Sequence, residues 1–168
     1  MMKILQESGP ILYRKSVTIS RIGRENLIKL LYRGESWLGD GMRPTPGLLQ
    51  HVSQRFVDHK PVKFVFFVGS HEDRNRDAKG RIRALFDLGN DPVHINDIHP
   101  QTISIAESVL NENSLHFLNN ARIGRFRSFP ELFTDFKDWI TQEHLDRQRF
   151  CIDGSAVLAA YGLRDAND

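Results

Sequence analysis

Apolar residues recur in this chain at two spacings, and the spacing separates helices from strands. Leu27, Leu30 and Leu31 stand at i, i+3 and i+4, which predicts a helix over residues 24–33. Pro46 suits the first position of a second helix that continues through Leu48, Leu49, Val52 and Phe56. Ile82, Leu85 and Phe86 mark a third, after a polar loop over 70–77, and Gly89 stops it. A fourth opens at Pro100 and carries Ile103, Ala106, Val109 and Leu110. Ser128, Pro130 and Glu131 form the start signal of a fifth, with Ser128 as N-cap and Glu131 closing a capping box. Its face of Leu132, Phe133, Phe136, Trp139 and Ile140 has the spacing of a buried stripe, so these aromatics are expected in the core.

The strand signals are shorter. Residues 11–20 are rich in β-branched and aromatic types. Residues 63–69 are apolar on both faces, as expected of a central strand with helices on each side. Val93 to Asn96 and Phe150 to Ile152 read as further strands, while 114–119 is ambiguous between helix and strand. The stretch 34–47 holds four glycines and two prolines and reads as a loop with Trp37 and Leu38 inserted into the body. Strand, helix, strand, helix over 63–110 implies a parallel βαβ unit with a right-handed crossover. The expected fold is therefore α/β, a small mainly parallel sheet flanked by helices. Residues 1–147 form one α/β domain, and 148–168 begin something different.

Composition narrows the class. In 168 residues, 40% hydrophobic and 26% charged content can supply a soluble globular core. The net charge of +2 is a mild excess and disfavours nucleic acid as a partner, since such proteins show a concentrated basic face. The single cysteine, Cys151, excludes an internal disulfide framework and is expected buried and inert. No run approaches the roughly 18 consecutive apolar residues of a membrane span. The N-terminal residues lack the apolar core of a signal peptide, so a cytoplasmic protein is expected, with no membrane partner.

The last residues carry the sharpest chemistry. An apolar run enters Gly154-Ser155, an alanine-rich stretch follows, and Asp165 and Asp168 lie ten and thirteen positions after Ser155. Glycine lets the backbone approach a phosphate, the serine hydroxyl is a donor, and a helix start adds unpaired N–H groups. This order of strand, Gly-Ser, helix and carboxylates resembles the opening motif of the nucleotidyltransferase superfamily that includes the β-type DNA polymerases. The resemblance covers roughly the last 20 of 168 residues. It implies that Gly154 and Ser155 hold the phosphates of a nucleotide and that Asp165 or Asp168 is a magnesium ligand of a two-metal site. The family pattern places a second acidic residue two positions after the first. From Asp165 that position is Asn167, so Asp168 is the better first ligand, with its partner beyond the chain. The phrases 31–39, 93–97 and 113–119 are also similar to those of microbial proteins in which such a region precedes a nucleotidyltransferase-like domain. The resemblance thus implies the N-terminal region of a transferase, inactive as an isolated chain.

Two other constellations compete. Ser70, His71, Asp97 and His99, with His94 nearby, fall at the ends of the expected parallel strands, where α/β sheets gather ligands. The His94–His99 spacing matches no zinc pattern, and Asp97 and His99 also suit helix capping. A non-catalytic ligand-binding or assembly domain would use that crevice. Arg122, Arg125 and Arg127 surround Phe126 in an expected loop and could contact the phosphates of an RNA. The basic run 74–83 lacks the glycine spacing of a phosphate loop and reads as a solvated loop entering a helix. Serine-hydrolase elbows, zinc-protease helices, Cys-x-x-Cys pairs and dinucleotide fingerprints do not occur.

Overall fold

A computed structural model describes residues 1–39, 43–57, 60–69, 71–86, 93–96 and 98–165. The chain begins with α1 (Met2–Ser8) and β1 (Ile11–Val17), followed by α2 (Arg21–Leu31), a 3-10 turn at Ser36–Leu38 and α3 (Pro46–Arg55). Then come β2 (Val62–Phe67), α4 (Glu72–Ala84), α5 (His99–Leu110), α6 (Glu112–Asn120), α7 (Ser128–Gln142) and α8 (Ser155–Ala160). Helices dominate. The expectation of an α/β fold with a small mainly parallel sheet flanked by helices is therefore corrected: the sheet has two strands, and they run antiparallel.

The register explains the error. Val17 faces Val62, Lys15 faces Phe64 and Arg14 faces Val65. Val62 and Phe64, two residues apart and so on one side of the ribbon, pack against Val17, Ile19 and Leu27. Phe66 and Val65 are only half-buried. The apolar run that reads as a central strand is the second strand of a ribbon with no third strand among the described residues. Val93 to Asn96 is irregular rather than a strand, so the βαβ unit does not form. Its backbone is instead held by α4, with Lys79 Nζ donating to the Ile95 carbonyl (3.3 Å) and Arg83 Nη2 to that of Val93 (3.4 Å).

The core lies where α2 meets the ribbon on one side and α3 on the other. Leu27 joins the ribbon cluster with Leu115 and Leu118 of α6. Ile28, the next residue round the helix, is fully buried with Leu38 and Leu48. Capping fixes the ends of these helices. Ser20 Oγ accepts from Gly23 N (3.0 Å), Thr45 Oγ1 from Leu48 N (3.1 Å), and Asn111 Oδ1 from Asn113 N (2.9 Å). Thr45 Oγ1 also donates to the Trp37 carbonyl (2.7 Å), which ties the glycine-rich loop to α3; Leu38 is buried and Trp37 half-buried, as expected. Lys15 Nζ donates to the Val109 carbonyl (2.9 Å) and fastens β1 to the end of α5. At the surface Glu7 of α1 meets Arg81 of α4 at 2.7 Å. That hydrogen bond and its charge, helped by Asp77, hold the Arg81 guanidinium above its ordinary pKa.

Other local expectations also change. Glu72 and Asp73 stand in the first turn of α4, a favourable place for carboxylates, so the helix occupies most of the span expected to be a polar loop. Its expected stop at Gly89 lies outside the described residues, and Leu85 and Phe86 are exposed rather than buried. Ser128 is the first helical residue of α7 and not its N-cap, and no capping box forms. Of the expected core stripe on α7 only Ile140 is buried; Trp139 is 46% and Leu132 61% exposed. The segment from Phe150 to Ile152 is not a strand, and Cys151 is exposed rather than buried. Phe150 packs edge-on to Phe136 (5.6 Å) and Trp139 (6.3 Å), forming an aromatic group on the outside of α7.

Candidate functional site

The Gly154-Ser155 turn has the local form that its residues imply. Gly154 adopts φ +62°, a conformation that side chains disfavour, and it immediately precedes α8. A Cβ placed on it would meet no other atom within 4 Å, so the turn borders open space. Gly154 N donates to Asp153 Oδ1 (2.6 Å). Ser155 is half-buried as the first residue of the helix. The segment entering the turn is irregular, which removes the strand from the expected strand–turn–helix order. At six residues α8 spans about 9 Å, and so short a helix brings little macrodipole to the turn.

The far end of α8 is fixed to the arginine loop. Arg122 N donates to the Tyr161 carbonyl (2.7 Å), and Arg125 Nη1 reaches the Gly162 carbonyl (3.4 Å). Gly162 has φ +65°, and a Cβ there would lie 1.8 Å from the Arg122 carbonyl oxygen. This is a close backbone approach that only glycine permits. Beyond it Asp165 Oδ1 accepts from Ser128 Oγ (3.2 Å) at the start of α7. The chain thus brings Asp165 to the base of the arginine loop, while Ser155 begins α8 at its opposite end. Asp168 lies outside the described residues. No group of three or more His, Cys, Asp or Glu side chains placed to share a metal ion occurs among the described residues.

The arginine loop forms one wall of a groove of about 710 Å³. Arg122 and Arg125 line it together with Arg21 and Lys29, with Glu25 as the carboxylate and Ile22, Pro44 and Ile123 as apolar surface. Arg127 is exposed but does not line the groove. The loop is held by Asn26, whose Nδ2 donates to the carbonyls of Leu118 and Ala121 (both 2.8 Å). Ser20 Oγ donates to the Asn119 carbonyl (2.6 Å), and Asn119 Oδ1 accepts from Ser20 N (2.8 Å). Sequence reading found the loop arginines and missed Arg21 and Lys29. Their signal was present, since Arg21, Glu25 and Lys29 follow one another at i, i+4 and i+8 on one helix face.

The alternative crevice loses its premise. It requires the carboxyl ends of parallel strands, and there are none among the described residues. Ser70 and Asp97 lie outside the described residues. His71 precedes α4 as its N-cap residue without a capping side-chain bond, His99 begins α5, and both are exposed. His94 instead joins an aromatic cluster, edge-on to Tyr32 at 5.5 Å, while His51 stacks on the same ring at 5.7 Å and lies 4.2 Å from Trp37. Arg55 sits over Tyr32 (5.4 Å) and hydrogen-bonds His51. This cluster closes the outer side of the Ile28–Leu48 core.

No family model, curated protein or solved structure matches the chain. No helix among the described residues is long and apolar enough to cross a membrane.

Proposed function

We propose that this chain is the N-terminal region of a nucleotidyltransferase-like protein and that Gly154 and Ser155 receive the phosphates of a nucleotide. The observation that carries the reading is the open, positive-φ turn at Gly154, which leads straight into a helix begun by Ser155. A phosphate can approach Gly154 from the open side of the turn, where it competes with the Asp153 carboxylate for Gly154 N, and the Ser155 hydroxyl supplies a donor. The sequence order supports the same assignment, with Asp165 and Asp168 ten and thirteen positions after Ser155, and with the second acidic residue of the superfamily pattern expected two positions after Asp168. Asp165 is engaged by Ser128, which favours Asp168 as the first magnesium ligand.

Calorimetric titration with ATP, GTP, CTP and UTP, each with and without magnesium, tests the reading. The expected result is saturable binding of at least one nucleotide, strengthened by magnesium and weakened in Ser155→Ala. Binding indifferent to Ser155 contradicts it, as does no binding by the folded chain.

A second reading rests on the groove between α2 and the arginine loop. Four cations against one carboxylate can hold the backbone of an RNA strand, as the loop arginines suggest by themselves. Under this reading Arg122→Gln with Arg125→Gln abolishes oligonucleotide binding, whose affinity falls steeply with salt, while Ser155→Ala leaves it unchanged.

A further inference from the structure

The basic run 74–83, which fails as a phosphate loop by its spacing, does a different thing once it is helical. Positions 72, 75, 76, 79, 80 and 83 share one face of α4, and that face forms the wall of a cleft of about 320 Å³ closed by Ile95 and Asn96. Lys79 and Arg83 are half-buried, while the side chains of Arg76 and its partner Glu72 are 73% and 72% exposed. Glu72 fixes Arg76 at 2.7 Å, and Lys79 and Arg83 are tethered to the carbonyls of Ile95 and Val93. With three cations against one carboxylate, the cleft is electropositive.

Two further features point to an occupant. Arg83 Nε and Asn75 Oδ1 are buried and have no hydrogen-bond partner among the described residues, a condition that costs stability unless something fills it. An amide can present either its oxygen or its nitrogen to a ligand. Gly80 occupies the helix interior, where glycine is a poor choice, and a Cβ there would meet nothing within 4 Å. The residue therefore serves no packing need, and it leaves the helix backbone open to close approach from the cleft.

We propose that this cleft binds a small oxyanion, a phosphate ester or a carboxylate. Arg76, Lys79 and Arg83 supply its positive charge, and the Asn75 amide and Arg83 Nε supply hydrogen bonds. The site stands on α4 and shares no residue with the Gly154-Ser155 turn, so it holds or fails independently of the nucleotide reading.

Calorimetry on the full chain at constant ionic strength, with inorganic phosphate and separately with succinate, tests it. Saturable binding of either anion is expected. Phosphate alone identifies a phosphate-ester site and succinate alone a carboxylate site. Gly80→Leu fills the cleft with a helix-favouring residue and is expected to weaken binding at least tenfold while the thermal midpoint stays or rises. Arg83→Gln is expected to weaken it as well, and decides the matter if Gly80→Leu lowers the midpoint. Failure of both anions to saturate, or unchanged affinity in these variants, overturns the proposal.

Discussion

The helix α2 and the helix α7 have the same kind of sequence and opposite fates. Each carries large apolar residues at helical spacing, and the periodicity is at least as clear in α7. Yet α2 buries Leu27 and Ile28 in two clusters, one against the ribbon and α6, the other against α3. By contrast, α7 buries only Ile140 and leaves Leu132 and Trp139 exposed, with Phe150 resting on the outside. Periodicity fixes which side of a helix is apolar. Whether that side is covered depends on partners elsewhere in the chain, and α2 has them from Val17 to Leu118 while α7 has chiefly the short α8.

The largest effect that should separate the two regions is a truncation in the core. Ile28→Ala or Leu48→Ala, both at 0% exposure, is expected to cost about 2–5 kcal/mol in denaturant unfolding. A loss under about 1 kcal/mol, well below that range, would mean that the second cluster is not packed as described. Next comes the joint between α8 and the arginine loop. Gly162→Ala forces a side chain onto the Arg122 carbonyl at positive φ and is expected to cost about 1–3 kcal/mol. Hydrogen exchange should rise in 121–127 and 155–165 and stay unchanged at Ile28; a uniform rise would join the regions into one cooperative unit.

A smaller loss is expected at the α2 cap. Ser20→Ala removes the acceptor of Gly23 N and the donor to Asn119, and should cost about 1 kcal/mol in the same unfolding experiment. Smallest of all should be Leu132→Ala, within about 0.5 kcal/mol of the parent, since its side chain is already largely in water. A loss of 2 kcal/mol or more there, a core-like value, would show that α7 is covered in solution and would erase the contrast.

These regions also differ in how far the sequence could be read. The centres of α2, α3 and α5 were legible from apolar periodicity, helped by Pro46 and Pro100 in the first turns of α3 and α5. The sheet was not legible, because a doubly apolar run such as 62–67 looks the same in a central parallel strand and in a ribbon resting on a helix. Only the partner, β1, decides between them, and partner choice is not written in local spacing. At Gly154-Ser155 the turn and the helix after it were legible, because glycine admits the positive φ that the turn needs, but the strand expected before it is irregular. The groove could not be read, because Arg21 and Arg122 are brought together by Asn26 and Asn119 binding across about a hundred residues of sequence.

The central claim is that nucleotide phosphates meet the chain at the start of α8. Amide spectra of the isotope-labelled protein, recorded while ATP and magnesium are added, test it residue by residue. The account predicts that Gly154 and Ser155 shift first and most, with saturation and with loss of the effect in Ser155→Ala. Shifts confined to Arg21, Arg122 and Arg125, or to the α4 cleft, would contradict it and assign the nucleotide elsewhere.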